Sequence, residues 1–225
     1  MTPLIEPILL IAGSFLLGSA PSAYLVTRYL TGMDIRRHGS GNAGATNVME
    51  QVGMPVGIAL GTFDCIGKGA LPVVIAKLMD QPLSVQAAVG LVAVVGHNWS
   101  PFMKFTGGRG VATTIGVVFG FALWQEALIL GVAIGVIGRL LYRDTGIWTL
   151  VAMVALPILT LAFDRPMEIV AMAVSIGMIL IAKRLIANWE PPSAGQPLPQ
   201  VLTYRLLWDR DVPQRTSWTR RAPEG

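Results

Sequence analysis

Charge, thiols and imidazoles are what this chain has least of. Of its 225 residues, 13% are charged and 53% hydrophobic, whereas a soluble domain carries about 25% charged residues. So few charges exclude the polar surface that a water-soluble protein of this length needs. One cysteine, Cys65, excludes an intramolecular disulfide and a thiolate metal cluster. Only His38 and His97 offer imidazole. No basic stretch precedes the first apolar run, so residues 8–30 are expected to form a retained helix and not a cleaved signal. No internal repeat at a fixed period is visible, and no second domain.

What the chain has instead is long apolar runs, with a mean hydropathy of +0.60. These predict an all-α integral membrane protein. Seven candidate segments lie at about 4–30, 52–79, 83–99, 110–124, 126–142, 146–163 and 167–187. Several are short for a bilayer core, which takes about 20 apolar residues. With the N-terminus placed outside, the inner loops and tail hold fourteen lysines and arginines against two in the outer loops. That asymmetry follows the positive-inside rule and predicts seven transmembrane helices, N-terminus out and C-terminus in. A six-helix count that merges 110–142 would invert every later loop. The net charge of +4 is therefore ascribed to cytoplasmic loops facing membrane lipid, not to nucleic-acid binding. The expected division is a membrane domain over 1–188 and a basic, proline-rich cytoplasmic tail over 189–225. The tail holds six prolines, with Arg205, Arg210, Arg215, Arg220 and Arg221 around Trp208 and Trp218. It reads as a mobile or surface-lying segment.

Three polar insertions interrupt the apolar pattern, all toward the inner face in this topology. The first runs from Asp34 to Asn47 and contains Arg36, Arg37, Ser40, Gly41, Asn42, Thr46 and Asn47. Its glycines let backbone N–H groups converge on an anion, and a helix starting near Thr46 would add its dipole. A polar loop of turn formers is the plainer alternative. The sequence does not end in Gly-Lys-Ser/Thr, so a purine nucleotide is not implied. The second insertion, 63–69, sets Asp64 and Lys68 four residues apart on one helix face. They either pair with each other or offer Lys68 to an anion. The third, 96–113, joins His97 at a helix end to Lys104 and the turn Gly107-Gly108-Arg109-Gly110. His97 is a helix cap or a proton shuttle, and Lys104 and Arg109 are phosphate cations or simply inner-face charges. Together the three insertions suggest one shared phosphate-binding cavity.

At these residues the chain resembles a known family. Gly18-Ser19-Ala20-Pro21, Asp34-Ile35-Arg36 and GSGNAGATN at 39–47 are similar to the first signature of the PlsY-type acyl-phosphate:glycerol-3-phosphate acyltransferases. Residues 63–69 resemble the second signature, and GHNWSPFMKFTGGRGVAT at 96–113 the third. The resemblance covers about residues 13–113. It implies transfer of a fatty acyl group from acyl phosphate to the sn-1 hydroxyl of glycerol 3-phosphate, at a site facing the cytoplasm of the bacterial inner membrane. It implies Ser40, Asn42 and His97 as catalytic residues. Ser19, Arg36, Gly41, Thr46, Asn47, Lys68, Lys104, Gly107, Gly108 and Arg109 would bind substrate phosphates. No metal and no cofactor is implied. In this chain Asp64 stands four residues before Lys68 where the family usually has three, and Thr106 and Arg109 replace usual lysines. Arg143-Asp144-Thr145-Gly146 stands where a serine-containing turn is common, and 182–188 lacks a histidine. Two other readings stay open: a transporter of phosphorylated lipid, and a non-catalytic relative that binds it.

Overall fold

A computed structural model describes residues 4–192 and 196–214. Arg215, Trp218, Arg220 and Arg221 of the tail lie outside the described residues. All seven apolar segments are helical. A broken pair, α1 (Ile5–Ser19) and α2 (Ser22–Thr31), opens the chain. After the short α3 (Ala45–Gln51) come α4 (Met54–Leu78), α5 (Leu83–Asn98) and α6 (Val111–Gly120). Then follow α7 (Trp124–Leu141), α8 (Gly146–Ala162), α9 (Met167–Ile186) and α10 (Leu198–Trp208). Among the described residues, four stretches are long and apolar enough to cross a bilayer, namely Ile5–Thr31, α4, α7 and Met167–Trp189. The helices α5, α6 and α8 are apolar but shorter. Leu9, Leu16, Leu128, Leu140 and Ile158 are more than half exposed, as side chains that face lipid would be.

The irregularities have local causes. Pro21 forces Ala20 into an extended conformation (ψ 121°), which ends α1. Pro72 has no N–H and its ring crowds the carbonyl one turn earlier; α4 widens to π geometry over Phe63–Ala70 immediately before it. That widening holds both Asp64 and Lys68. A second π stretch, Val132–Leu141, ends α7.

Glycine sets the closest helix contacts. A Cβ on Gly18 would strike the Ala93 carbonyl, and one on Gly96 the Phe15 carbonyl, so α1 and α5 meet backbone to backbone. Gly69 and Gly116 do the same between α4 and α6, against Thr113 and Cys65. Small residues let helices approach this closely where lipid supplies no hydrophobic drive. Gly116→Leu is therefore expected to abolish the folded, monodisperse protein in detergent, read by size-exclusion chromatography. Gly131→Leu, in open space on α7, should elute normally.

Two cores organise the bundle. The larger joins α4 to α9 through Val73, Val94, Val117, Met153, Ile176 and Leu180. The smaller, Ala23, Ile35, Ala43, Val48, Leu60 and Met103, lies under the first insertion. Ile35 and Val48 are fully buried, so both ends of the 38–44 loop are pinned by apolar side chains. The tail departs from expectation. Instead of lying loosely, residues 198–208 form α10, which packs on α8 and α9 with Val201 and Arg205 buried. Arg205 pairs with Asp211 (2.6 Å) and donates to the Leu185 and Glu190 carbonyls.

Candidate active site

The first insertion is built around one side chain. Asn47, at the start of α3, donates from Nδ2 to the carbonyls of Ile35 (3.2 Å), His38 (2.9 Å) and Asn42 (3.1 Å). Its Oδ1 accepts from the Ser40 N–H (3.2 Å). Gly39 and Gly41 turn the chain at φ 57° and 71°, where a β-carbon would be strained. The result is a small loop that presents Ser40, Asn42 and Thr46 to a cavity of about 250 Å³. Asn42 Oδ1 is buried there without a hydrogen-bond partner.

The other insertions reach the same cavity. Asp64 and His97 line it, as do Arg109, Gly110 and the start of α6. His97 Nδ1 sits 3.8 Å from Asp64 Oδ1 and has no hydrogen-bond partner. Ser40, Asn42, Thr46, Asn47, His97 and Arg109 thus line one cavity. An apolar gap of about 30 Å³ shares Val111, Ile134, Thr149 and Met153 with the cavity and continues among α6, α7, α8 and α9.

Several expected site residues stand elsewhere or act differently. Lys68 does not project an open ammonium. Its Nζ donates to Asp64 (2.8 Å), the Ala20 carbonyl (2.7 Å) and Ser22 Oγ (2.9 Å), which uses all three donors. It ties the π stretch of α4 to the break between α1 and α2. Ser19 is fully buried and returns its hydroxyl to the Phe15 carbonyl (2.7 Å). Ser19 and Lys68 line a separate small recess with His97 and Gly108. Gly107 N–H is taken by Asn188 Oδ1 (3.1 Å) and Gly108 N–H by the His97 carbonyl (3.0 Å), so neither is a free phosphate donor. Both glycines matter for their lack of a side chain: a Cβ on Gly108 would strike the His97 ring, and one on Gly107 the His97 carbonyl. Gly108→Ala is expected to displace the imidazole and lower turnover about tenfold, with the melting midpoint little changed; steady-state kinetics beside a thermal melt check it. Lys104 is exposed, in a left-handed turn (φ 55°), and lines none of these cavities.

Arg36 and Gly41 line a second, more open cavity of about 430 Å³, shared with Arg37, Thr106, Gly107 and Asn188. Arg36 is held by Asp34 through two hydrogen bonds (2.9 and 2.7 Å) and stacks over Tyr24 at 4.7 Å. The guanidinium holds the Asp34 carboxyl below its usual range, so the pair is ionised at neutral pH. The wall between this cavity and the third insertion is a strained contact. Ala187, Asn188 and Trp189 all have positive φ (46°, 58°, 68°). Asn188 grips Gly107 through both N–H and C=O (3.1 Å each), and Trp189 Nε1 donates to the Phe105 carbonyl (3.1 Å).

The residues that motif reading missed come from the second half of the chain. Asp144, Thr145, Gly146 and Arg184 line the 250 Å³ cavity, and so do Trp208, Asp209 and Arg210 of the tail. Arg184 donates to the carbonyls of Gly146 (2.8 Å) and Leu206 (2.7 Å) and to Thr149 Oγ1. Lys183 donates to the Asn98 carbonyl. One signal was available: two consecutive cations near the end of an apolar helix, where charge is expensive unless it serves a site or a partner.

Known proteins share both the sequence and the arrangement. The family model for glycerol-3-phosphate acyltransferase matches residues 8–190. Glycerol-3-phosphate acyltransferase 5 of Dehalococcoides mccartyi (strain ATCC BAA-2266 / KCTC 15142 / 195) is 35% identical over 220 residues, covering 95% of this chain and 92% of its own. Glycerol-3-phosphate acyltransferase 2 of Moorella thermoacetica is 42% identical over 157 residues, 68% of this chain and 77% of that one. Among solved structures, PlsY (YgiH), an integral membrane glycerol 3-phosphate acyltransferase in its glycerol 3-phosphate form, superposes with a TM-score of 0.73. It is 31% identical and covers 80% of this chain and 88% of its own. The same protein in its lysophosphatidic acid form gives 0.69 at 28% identity. With the match running across both halves of the cavity wall, this all-helical integral membrane chain belongs to the glycerol-3-phosphate acyltransferase family.

Proposed function

We propose that this protein transfers a fatty acyl group from acyl phosphate to the sn-1 hydroxyl of glycerol 3-phosphate, giving lysophosphatidate and inorganic phosphate. The observation that carries the reading is the single cavity where the Ser40–Asn47 loop, His97 and Arg109 converge, continued by an apolar gap between helices. Phosphate groups need the first part; the second, far smaller than an acyl chain, marks the apolar seam along which the helices would have to part to admit one. The Ser40–Asn47 loop holds the phosphate and carbonyl of the acyl donor. Arg109 takes the phosphate of glycerol 3-phosphate, and Arg36, oriented by Asp34, offers hydrogen-bond donors from the neighbouring cavity.

The acceptor hydroxyl oxygen attacks the acyl carbonyl carbon, and the bond from that carbon to the phosphate oxygen breaks. Inorganic phosphate departs with its electron pair, and the hydroxyl proton passes to it, directly or through His97. Acyl phosphate is an activated mixed anhydride, so positioning and charge neutralisation supply most of the required catalysis. The chain crosses the bacterial inner membrane seven times with its N-terminus outside. The membrane domain over 1–188 carries the reaction on its cytoplasmic side, where the tail also lies. The basic residues cluster at that end, in keeping with the positive-inside rule.

A phosphate-release assay on detergent-purified protein tests the reading. Palmitoyl phosphate should yield phosphate only when glycerol 3-phosphate is added, with lysophosphatidate as the lipid product. Release without acceptor, or no release while acyl phosphate still binds, would reject it.

A further inference from the structure

The family match stops at residue 190, yet three residues beyond it line the candidate active site. The helix α10 ends at Trp208, and Asp209 turns the chain at φ 58°. That turn points a carboxylate at Arg109: Nε and Oδ1 are 3.0 Å apart. The contact is short but poorly aligned. Both atoms are buried, and neither has a hydrogen bond in acceptable geometry. In the lining of the same cavity Arg210 reaches Asp144 (2.6 Å), and Arg184 supports the Leu206 carbonyl (2.7 Å). The tail is thus a strap across the cavity. At its centre an anion rests on the cation that the proposed function gives to a substrate phosphate.

We infer that the tail is an autoinhibitory strap: Asp209 occupies the phosphate position on Arg109, and glycerol 3-phosphate must displace it to bind. This rests on the proposed role of Arg109. The energetics favour exchange. A phosphate presents several oxygens and more charge than a carboxylate, and it aligns with a guanidinium in a two-point fork. An ion pair that leaves Nε and Oδ1 without hydrogen bonds is a weak competitor for such a ligand. The remaining anchors, Arg205 with Asp211 and Arg184 with Leu206, keep the strap near the cavity after the pair opens. Release is then local and reversible.

Asp209→Asn tests the idea without disturbing the turn, because asparagine adopts the left-handed conformation as readily as aspartate. Removing the competitor should lower the KM for glycerol 3-phosphate, and the inhibition constant for inorganic phosphate, by about 1.5-fold to fivefold, the scale of a partly exposed ion pair. In an Arg109→Gln background, where KM is already raised, the same change should have no effect. Hydrogen exchange over 209–212 in the unaltered protein should rise when glycerol 3-phosphate is added, while 198–205 stays protected. An unchanged or raised KM in Asp209→Asn, with Arg109→Gln still impaired, overturns the strap and leaves the role of Arg109 standing. Slower or unchanged exchange over 209–212 with substrate also overturns it; slower exchange would make the tail a clamp closing on the ligand. A normal KM in Arg109→Gln removes the premise, and the strap falls with it.

Discussion

Lys68→Ala is expected to destabilise the protein by about 3–5 kcal/mol, the cost of leaving one member of a buried ion pair without its partner. Asp64 and Lys68 are both nearly inaccessible and 2.8 Å apart. Removing the ammonium strands a carboxylate in a widened stretch of α4 and takes from the Ala20 carbonyl, at the break before α2, one of its two donors, leaving the Ser22 N–H. The loss should appear as a large drop in the melting midpoint in detergent. Replacing both charges, as Asp64→Asn with Lys68→Met, should recover most of that drop, since neutral groups of similar volume carry no comparable desolvation penalty. Activity should not recover with it, because Asp64 also faces His97 and the cavity. A Lys68→Ala protein with an unchanged midpoint and a raised KM for either substrate would overturn this account. It would restore Lys68 as a phosphate cation.

That outcome bears on what was legible in the sequence. A glycine, asparagine or arginine inside a chain this apolar is conspicuous, which is why Ser40, Asn42, Thr46, His97 and Arg109 are found from residue types alone and meet in one cavity. The helical segments are legible for the same reason, since hydropathy changes sharply at each turn. The part a side chain plays within the site is another matter. Asn47 has the look of a ligand donor, yet all its polar atoms serve to fold the loop. Gly107 and Gly108 look like an anion nest, yet their N–H groups are taken and the glycines make room for His97. Composition cannot separate these roles, because a phosphate cradle and a tight turn use the same residues. The tail was hidden for a different reason. It is held on the bundle by arginines donating to carbonyls and carboxylates, with Val201, among its described residues, the one fully buried apolar side chain. No apolar period announces a helix docked that way. Asp144 and Arg184 were left out because 143–146 and 182–188 depart from the residues the family has there, so the resemblance gave them no role, although both line the cavity.

Ser40→Ala is expected to lower turnover by about 100-fold or more, the loss typical of removing one donor to a developing oxyanion, while the melting midpoint stays within a few degrees. The two halves of that expectation have separate physical sources. The Ser40 hydroxyl makes one weak internal contact, with the Asn42 N–H at 3.4 Å, so the loop loses little when it goes. What positions the loop is the Ser40 backbone N–H on Asn47 Oδ1, which alanine keeps. Asn47→Ala supplies the contrast. It removes the four hydrogen bonds that the Asn47 side chain makes to residues 35–42 and should lower turnover and melting midpoint together. If Ser40→Ala lost stability in step with activity, its hydroxyl would belong to the scaffold. If it kept near-normal turnover, the loop would stand outside the reaction, and the donor phosphate would have to be sought in the Arg36–Arg37 cavity. Loss of turnover in both variants, with loss of stability only in Asn47→Ala, would divide the loop into a group that acts on the substrate and a group that holds the first in place.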